Sequence, residues 1–116
     1  MKKEPIFIFK NSKGVEYEVF FKKPDERSYK GADGICADPE SRHPEICIRP
    51  DLTSQSELNT CIHELAHAFF WEETETNITK FANACSRLLF NKMKWRKRSE
   101  GKGNKQGSKK SKRNRK

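Results

Sequence analysis

His63-Glu64-Leu65-Ala66-His67 sets two imidazoles four residues apart, with a carboxylate directly after the first. On a helix, residues i and i+4 share a face, so both rings can reach one metal ion. Glu64 then lies about 100° further round the helix than His63. From there it can meet a metal-activated water without being a ligand, as a general base for hydrolysis does.

A catalytic zinc takes three protein ligands and keeps one position open. His63 and His67 supply two, and no His follows His67. The extended H-E-x-x-H-x-x-G-x-x-H pattern is excluded, because Phe70 and Glu73 stand where it needs Gly and His. The third ligand is then one of the acids Glu72, Glu73 and Glu75, or the upstream His43. Glu75 is favoured, since it shares a helical stripe with Ile78, Ala82, Cys85 and Leu89. An acid on an apolar stripe needs a partner, and a metal is a good one. Glu72 and Glu73 read as solvated turn residues, and His43 as a surface residue between Arg42 and Pro44. Tyr29 could polarise a carbonyl oxygen, but nothing in the sequence places it near the motif.

The elements that must position these groups follow from periodicity. Leu58, Ile62, Leu65 and Phe69 recur at i, i+4, i+7 and i+11, an apolar face that predicts a helix over residues 55–71. Ser54 and Glu57 have capping-box spacing. A short turn over 72–74 leads to a second helix over 75–92, carrying Ile78, Phe81, Ala82, Cys85, Leu88 and Leu89, with Thr74 as its N-cap. Two antiparallel helices so joined would bring Glu75 towards the His pair.

Upstream, residues 6–10 and 15–21 read as a hairpin about the Asn11–Gly14 turn, with Val15, Tyr17, Val19 and Phe21 on one face. Short strands are expected over 34–36 and 45–49, the latter stopped by Pro50. The strand over 45–49 is expected to offer a free edge to which a peptide could add. The fold class is α+β: a small mixed or antiparallel sheet packed on the H-E-x-x-H helix and a second helix. One domain is expected over residues 1–95.

Charge is distributed unevenly. The chain of 116 residues carries a formal net charge of +9, yet residues 94–116 hold 12 Lys or Arg against the single acid Glu100. The rest of the chain is slightly acidic. From Arg96 onward no apolar residue occurs, so residues 96–116 are expected to be a disordered basic tail. Such a tail suits nonspecific contact with nucleic-acid phosphates. The apolar run at residues 6–9 is too short for a signal-peptide core, and nothing approaches a transmembrane length. Cys36, Cys47, Cys61 and Cys85 show no C-x-x-C spacing and read as reduced thiols. A cytoplasmic monomer acting on a peptide or protein substrate, with no membrane partner, is the expectation.

The run ADGICADPESRHPEICIRPDLTSQSELNTCIHELAHAFFWEETETNITKFANACSRLL resembles small single-domain metallopeptidases of the gluzincin group, among them minigluzincins and the ImmA/IrrE-like and SprT-like proteins. In these a Gly-containing segment, a short strand, an H-E-x-x-H helix and a second helix follow in this order. The resemblance implies zinc-dependent peptidase activity, with His63 and His67 as zinc ligands, Glu64 as the base and Glu75 as the third ligand. The chain lacks the downstream His ligand and Cys-rich zinc ribbon of SprT-like proteins. A rival reading is a nucleic-acid-binding protein that uses its basic tail on a catalytically silent zinc-binding scaffold.

Overall fold

The computed structural model describes residues 5–24 and 31–97. Tyr29 and most of the basic tail, residues 98–116, lie outside the described residues. Four strands, β1 (Phe7–Lys10), β2 (Glu16–Phe21), β3 (Gly34–Cys36) and β4 (Glu45–Ile48), precede two helices, α1 (Ser54–Phe69) and α2 (Glu75–Arg87). The fold is α+β with a mixed sheet, in the order β1-β2-β4-β3.

The hairpin forms where the turn residues place it. Asn11 Oδ1 accepts the N–H groups of Lys13 and Val15, each at 2.9 Å, and Gly14 takes a φ of 85° that side-chain-bearing residues avoid. The resulting register pairs Phe7 with Val19 and Lys10 with Glu16. Tyr17 and Val19 point to the helices and are buried, while Glu16 and Glu18 are exposed.

β4 departs from the expectation of a free edge. It runs parallel to β2 on one side and antiparallel to β3 on the other, so it is an interior strand. The physical reason lies in its own residues: Ile46, Cys47 and Ile48 are all buried, which requires cover on both faces of the sheet. Among the described residues, the outer strands with an unpaired edge are β1 and β3.

α1 lies across the sheet face that carries Tyr17, Val19, Ile46 and Ile48, and contributes Ala68, Cys61 and Leu65 to the same core. α2 packs beside α1. Because α1 has two neighbours, its buried line differs from the large-residue stripe. Leu58 is buried, but Phe69 is exposed, and the deep positions further along are Glu64, Ala66 and Ala68. Small side chains occupy the close approaches to sheet and helix, so the backbones can come near. On α2 the buried residues are Ile78, Ala82 and Ser86, whereas Phe81 and, just past its end, Leu88 face solvent.

The cap of α1 is Thr53, one residue before the expected Ser54: its hydroxyl accepts the Ser56 N–H at 3.3 Å. Thr74 caps α2 through the Asn77 N–H. Asn59 Nδ2 donates to Asn83 Oδ1 at 2.9 Å and to Ser86 Oγ at 3.0 Å, tying α1 to α2. Beyond Arg87 the helix widens into a π-helical turn, Leu88–Lys92. The chain then returns to the start of α1, where the Lys97 N–H donates to Ser54 Oγ at 3.0 Å. Among the described residues no helix is long and apolar enough to cross a membrane.

The central position of β4 yields a direct test. Ile48→Pro puts a ring and a missing N–H into an interior strand. Loss of the folded far-UV circular dichroism signal is expected at 25 °C. A folded Ile48→Pro protein would show that β4 lies at an edge.

Candidate metal centre

His63 and His67 lie one turn apart on α1, with ring centroids 4.8 Å from each other. The α1 backbone stops soon after them, where the Phe70 N–H still bonds to Ala66 O and Phe70 O accepts the Glu73 N–H at 2.8 Å. The last turn is held from the hairpin as well. Asn11 Nδ2 donates to Ala68 O and Ser12 Oγ to Phe69 O, satisfying carbonyls that the helix end leaves free. This tight reversal starts α2 beside the end of α1 and sets Glu75 opposite the two rings.

The Glu75 carboxylate spans both imidazoles. Its Oε1 stands 2.9 Å from His67 Nε2, and its Oε2 stands 3.2 Å from His63 Nε2. The candidate ligand atoms of the three residues all fall within 4.8 Å of one another. Two ligands held about 2.0–2.1 Å from one tetrahedral ion stand roughly 3.3 Å apart, so two nitrogens and a carboxylate at these separations fit a zinc ion. The Glu75 side chain is 69% exposed, which leaves one side of the centre open to solvent. Burial lowers the His63 pKa against the opposing pull of Glu75, which favours the neutral ring that a metal requires.

The other candidates lie elsewhere. Glu73 accepts from Asn77 Nδ2 at 2.6 Å and from the Thr74 N–H, and with Glu72 it lines a separate cavity. His43 is exposed on the loop before β4.

Glu64 packs at the seam between α1 and β3, with its Cγ beside Gly34. It is 9% exposed, and burial, reinforced by the Glu75 charge, raises its pKa to about 7. A carboxylate that titrates near neutrality can take and return a proton at working pH.

Gly34 is the residue of this seam that sequence reasoning missed. A Cβ there would stand 2.6 Å from Thr60 Cγ2 and 3.1 Å from Glu64 Cγ, so the absence of a side chain lets β3 reach Glu64. A glycine inside a short strand was the available signal. The neighbouring thiols stay protonated. Burial, with the Glu64 charge adding, pushes Cys36 up to about 12, and burial with Glu57 and Glu64 pushes Cys61 up to about 11.

Two outcomes are expected. Gly34→Ala should destabilise the protein by about 1–3 kcal/mol in urea unfolding, and Thr60→Ser, which deletes the clashing methyl, should recover part of that loss. Absence of rescue would place the strain elsewhere. In chelator-treated protein, native Glu64 keeps a proton that the unfolded chain releases between its ordinary pKa of 4.5 and about 7. Native stability contributed by this group therefore falls as pH rises through that window. Glu64→Gln should remove the fall, gaining on the order of 3 kcal/mol at pH 8 and nothing at pH 4. What remains should be the opposite trend from His63, whose lowered pKa makes stability rise with pH. An unchanged difference between the two proteins across the pH range would contradict the raised pKa.

A family model, the IrrE N-terminal-like domain of a peptidase family, matches residues 3–89, three quarters of the chain and every residue of the cluster. No curated protein and no solved structure matches. With this match over the sheet, α1 and α2, the chain belongs to the IrrE N-terminal-like domain family of peptidases.

Proposed function

We propose that this chain is a zinc-dependent metallopeptidase of the gluzincin type that hydrolyses peptide bonds. The observation that carries the reading is the convergence of His63, His67 and Glu75 donors on one point, with the buried Glu64 carboxylate on the same helix between the two His. Family membership supports a metal-dependent peptidase in general. The ligand set and the part played by Glu64 are the further steps of the proposal.

His63 Nε2, His67 Nε2 and one Glu75 oxygen would hold the ion. When bound, zinc supplies Lewis acidity, which polarises a carbonyl and makes a neighbouring water acidic. Glu64 accepts the proton of the attacking water and passes it to the leaving amine, so a pKa near neutrality serves both transfers.

Substrate alignment falls to β3. The Arg49 N–H bonds to Asp33 O at 2.8 Å and the Ala37 N–H to Glu45 O at 3.0 Å, so residues 33, 35 and 37 direct their backbone bonds at β4. Gly34 and Cys36 therefore present their N–H and C=O groups along the free edge, beside Glu64. An extended peptide can add there as an antiparallel strand, its main chain hydrogen-bonded and its carbonyl close to the ligand cluster.

Elemental analysis of purified protein should give about one zinc per chain. His63→Ala, His67→Ala and Glu75→Ala should lose it, while Glu72→Ala, Glu73→Ala and Glu64→Gln should keep it. Glu64→Gln should lower peptide cleavage by about 10²–10⁴-fold. A zinc-loaded Glu64→Gln protein that cleaves like the wild type would remove Glu64 from the mechanism. Full zinc in Glu75→Ala would remove the third ligand.

A further inference from the structure

A cavity of about 460 Å³ opens between the β1–β2 turn, the segment after β3 and the C-terminal end of α1. None of the four residues of the proposed centre lines it. Its volume is within the ~300–1,000 Å³ range of ligand pockets. Phe69, Phe70 and Trp71 line it and are 39%, 50% and 38% exposed, an unusual run of adjacent uncovered aromatic residues.

The lining is strongly asymmetric in charge. Asp38, Glu40, Glu72 and Glu73 contribute four carboxylates against the single ammonium of Lys13. Asn77 and the Thr74 N–H hold Glu73 in its charged form. Among the described residues, the Glu40 and Glu72 carboxylates have no hydrogen-bonding or ionic partner. The negative end of the α1 dipole adds to the same field. Aromatic faces beside carboxylates suit a side chain with an apolar stem and a cationic head, which can lie on the rings and pair with the acids.

Position supplies the second argument. Only Ala37 separates Cys36, the last residue of the β3 edge, from Asp38 on the cavity wall, and Ala68 on the opposite wall directly follows His67. The cavity therefore continues the line along which a peptide would lie. A strand antiparallel to β3 runs with its N-terminal side towards Ala37 and Asp38. We propose that this cavity is a subsite for a lysine or arginine side chain of the peptide substrate, on the N-terminal side of the bond that is cut. The proposal rests on the peptidase reading and adds a substrate class to it.

The test has a binding arm and a cleavage arm. In the zinc-loaded Glu64→Gln protein, two blocked hexapeptides that differ only in one arginine or norleucine are titrated while the indole N–H resonances are followed. Trp95→Phe assigns the Trp71 signal. The arginine peptide should shift Trp71 with a Kd at least fivefold below that of the norleucine peptide. Glu40→Lys combined with Glu72→Lys should erase the difference. Equal Kd values, or a charge-reversed protein that discriminates as before, would overturn the proposal. In the second arm, wild-type protein is given a mixed peptide library. Cut sites should be enriched in Lys or Arg within three residues before the bond, and the double charge reversal should abolish the enrichment with zinc content unchanged. Cleavage without that enrichment sinks the subsite and leaves the peptidase standing. No cleavage at all, with Trp71 still shifted by the arginine peptide, sinks the peptidase and with it the substrate role of the cavity.

Discussion

The bridge of one carboxylate across two imidazoles sets the geometry on which the rest of the site depends. Glu75 can meet both His63 and His67 only if α2 begins within a few residues of the end of α1. Several independent contacts enforce that reversal. Thr74 caps the new helix, Asn11 and Ser12 hold the last carbonyls of the old one, and Asn59 clasps Asn83 and Ser86 further along. The hairpin therefore has a second use besides forming the sheet. Its turn is hydrogen-bonded to the helix end that carries the two histidines.

A second constraint acts across α1. Its Glu64 side enters the sheet seam, where an ionised carboxylate is disfavoured, and its His side faces α2 and solvent. The same helix thus supplies two environments, one that raises a carboxyl pKa and one that leaves the candidate ligand cluster accessible. Gly34 makes the first of these possible. Any side chain there would hold β3 away from Thr60 and Glu64, opening the seam to water and returning Glu64 towards ordinary carboxylate behaviour. The strand that packs on Glu64 is also, among the described residues, an outer strand of the sheet.

Much of this was legible in the sequence. The H-E-x-x-H spacing, the two helical periods, the Thr74 cap, the Asn11–Gly14 turn and the placement of Glu75 beside the His pair all rest on interactions within a few residues, or on the face that a periodic stripe defines. Such features survive translation from chain to structure because the backbone period is set locally. Where the reading slipped by a residue, as with Thr53 in place of Ser54, the competing caps were adjacent and chemically alike.

The tertiary structure decided what depends on distant partners. Glu45–Ile48 has the look of a strand in either setting, but whether it lies at an edge or in the middle depends on β2 and β3 arriving on its two sides. The stripe on α1 correctly gave a helix, yet which residues lie deepest was settled by the sheet and α2 pressing from two directions, which favours alanine at close approaches over Phe69 at the end. The cavity beside Trp71 is assembled from three segments that are far apart along the chain, so no local pattern could announce it. Sequence by itself determined which side chains could do chemistry, because their types and helical spacing are local properties. Packing determined which of them meet, what surrounds Glu64 and which edge is open, because those are properties of contacts between segments the chain brings together only on folding.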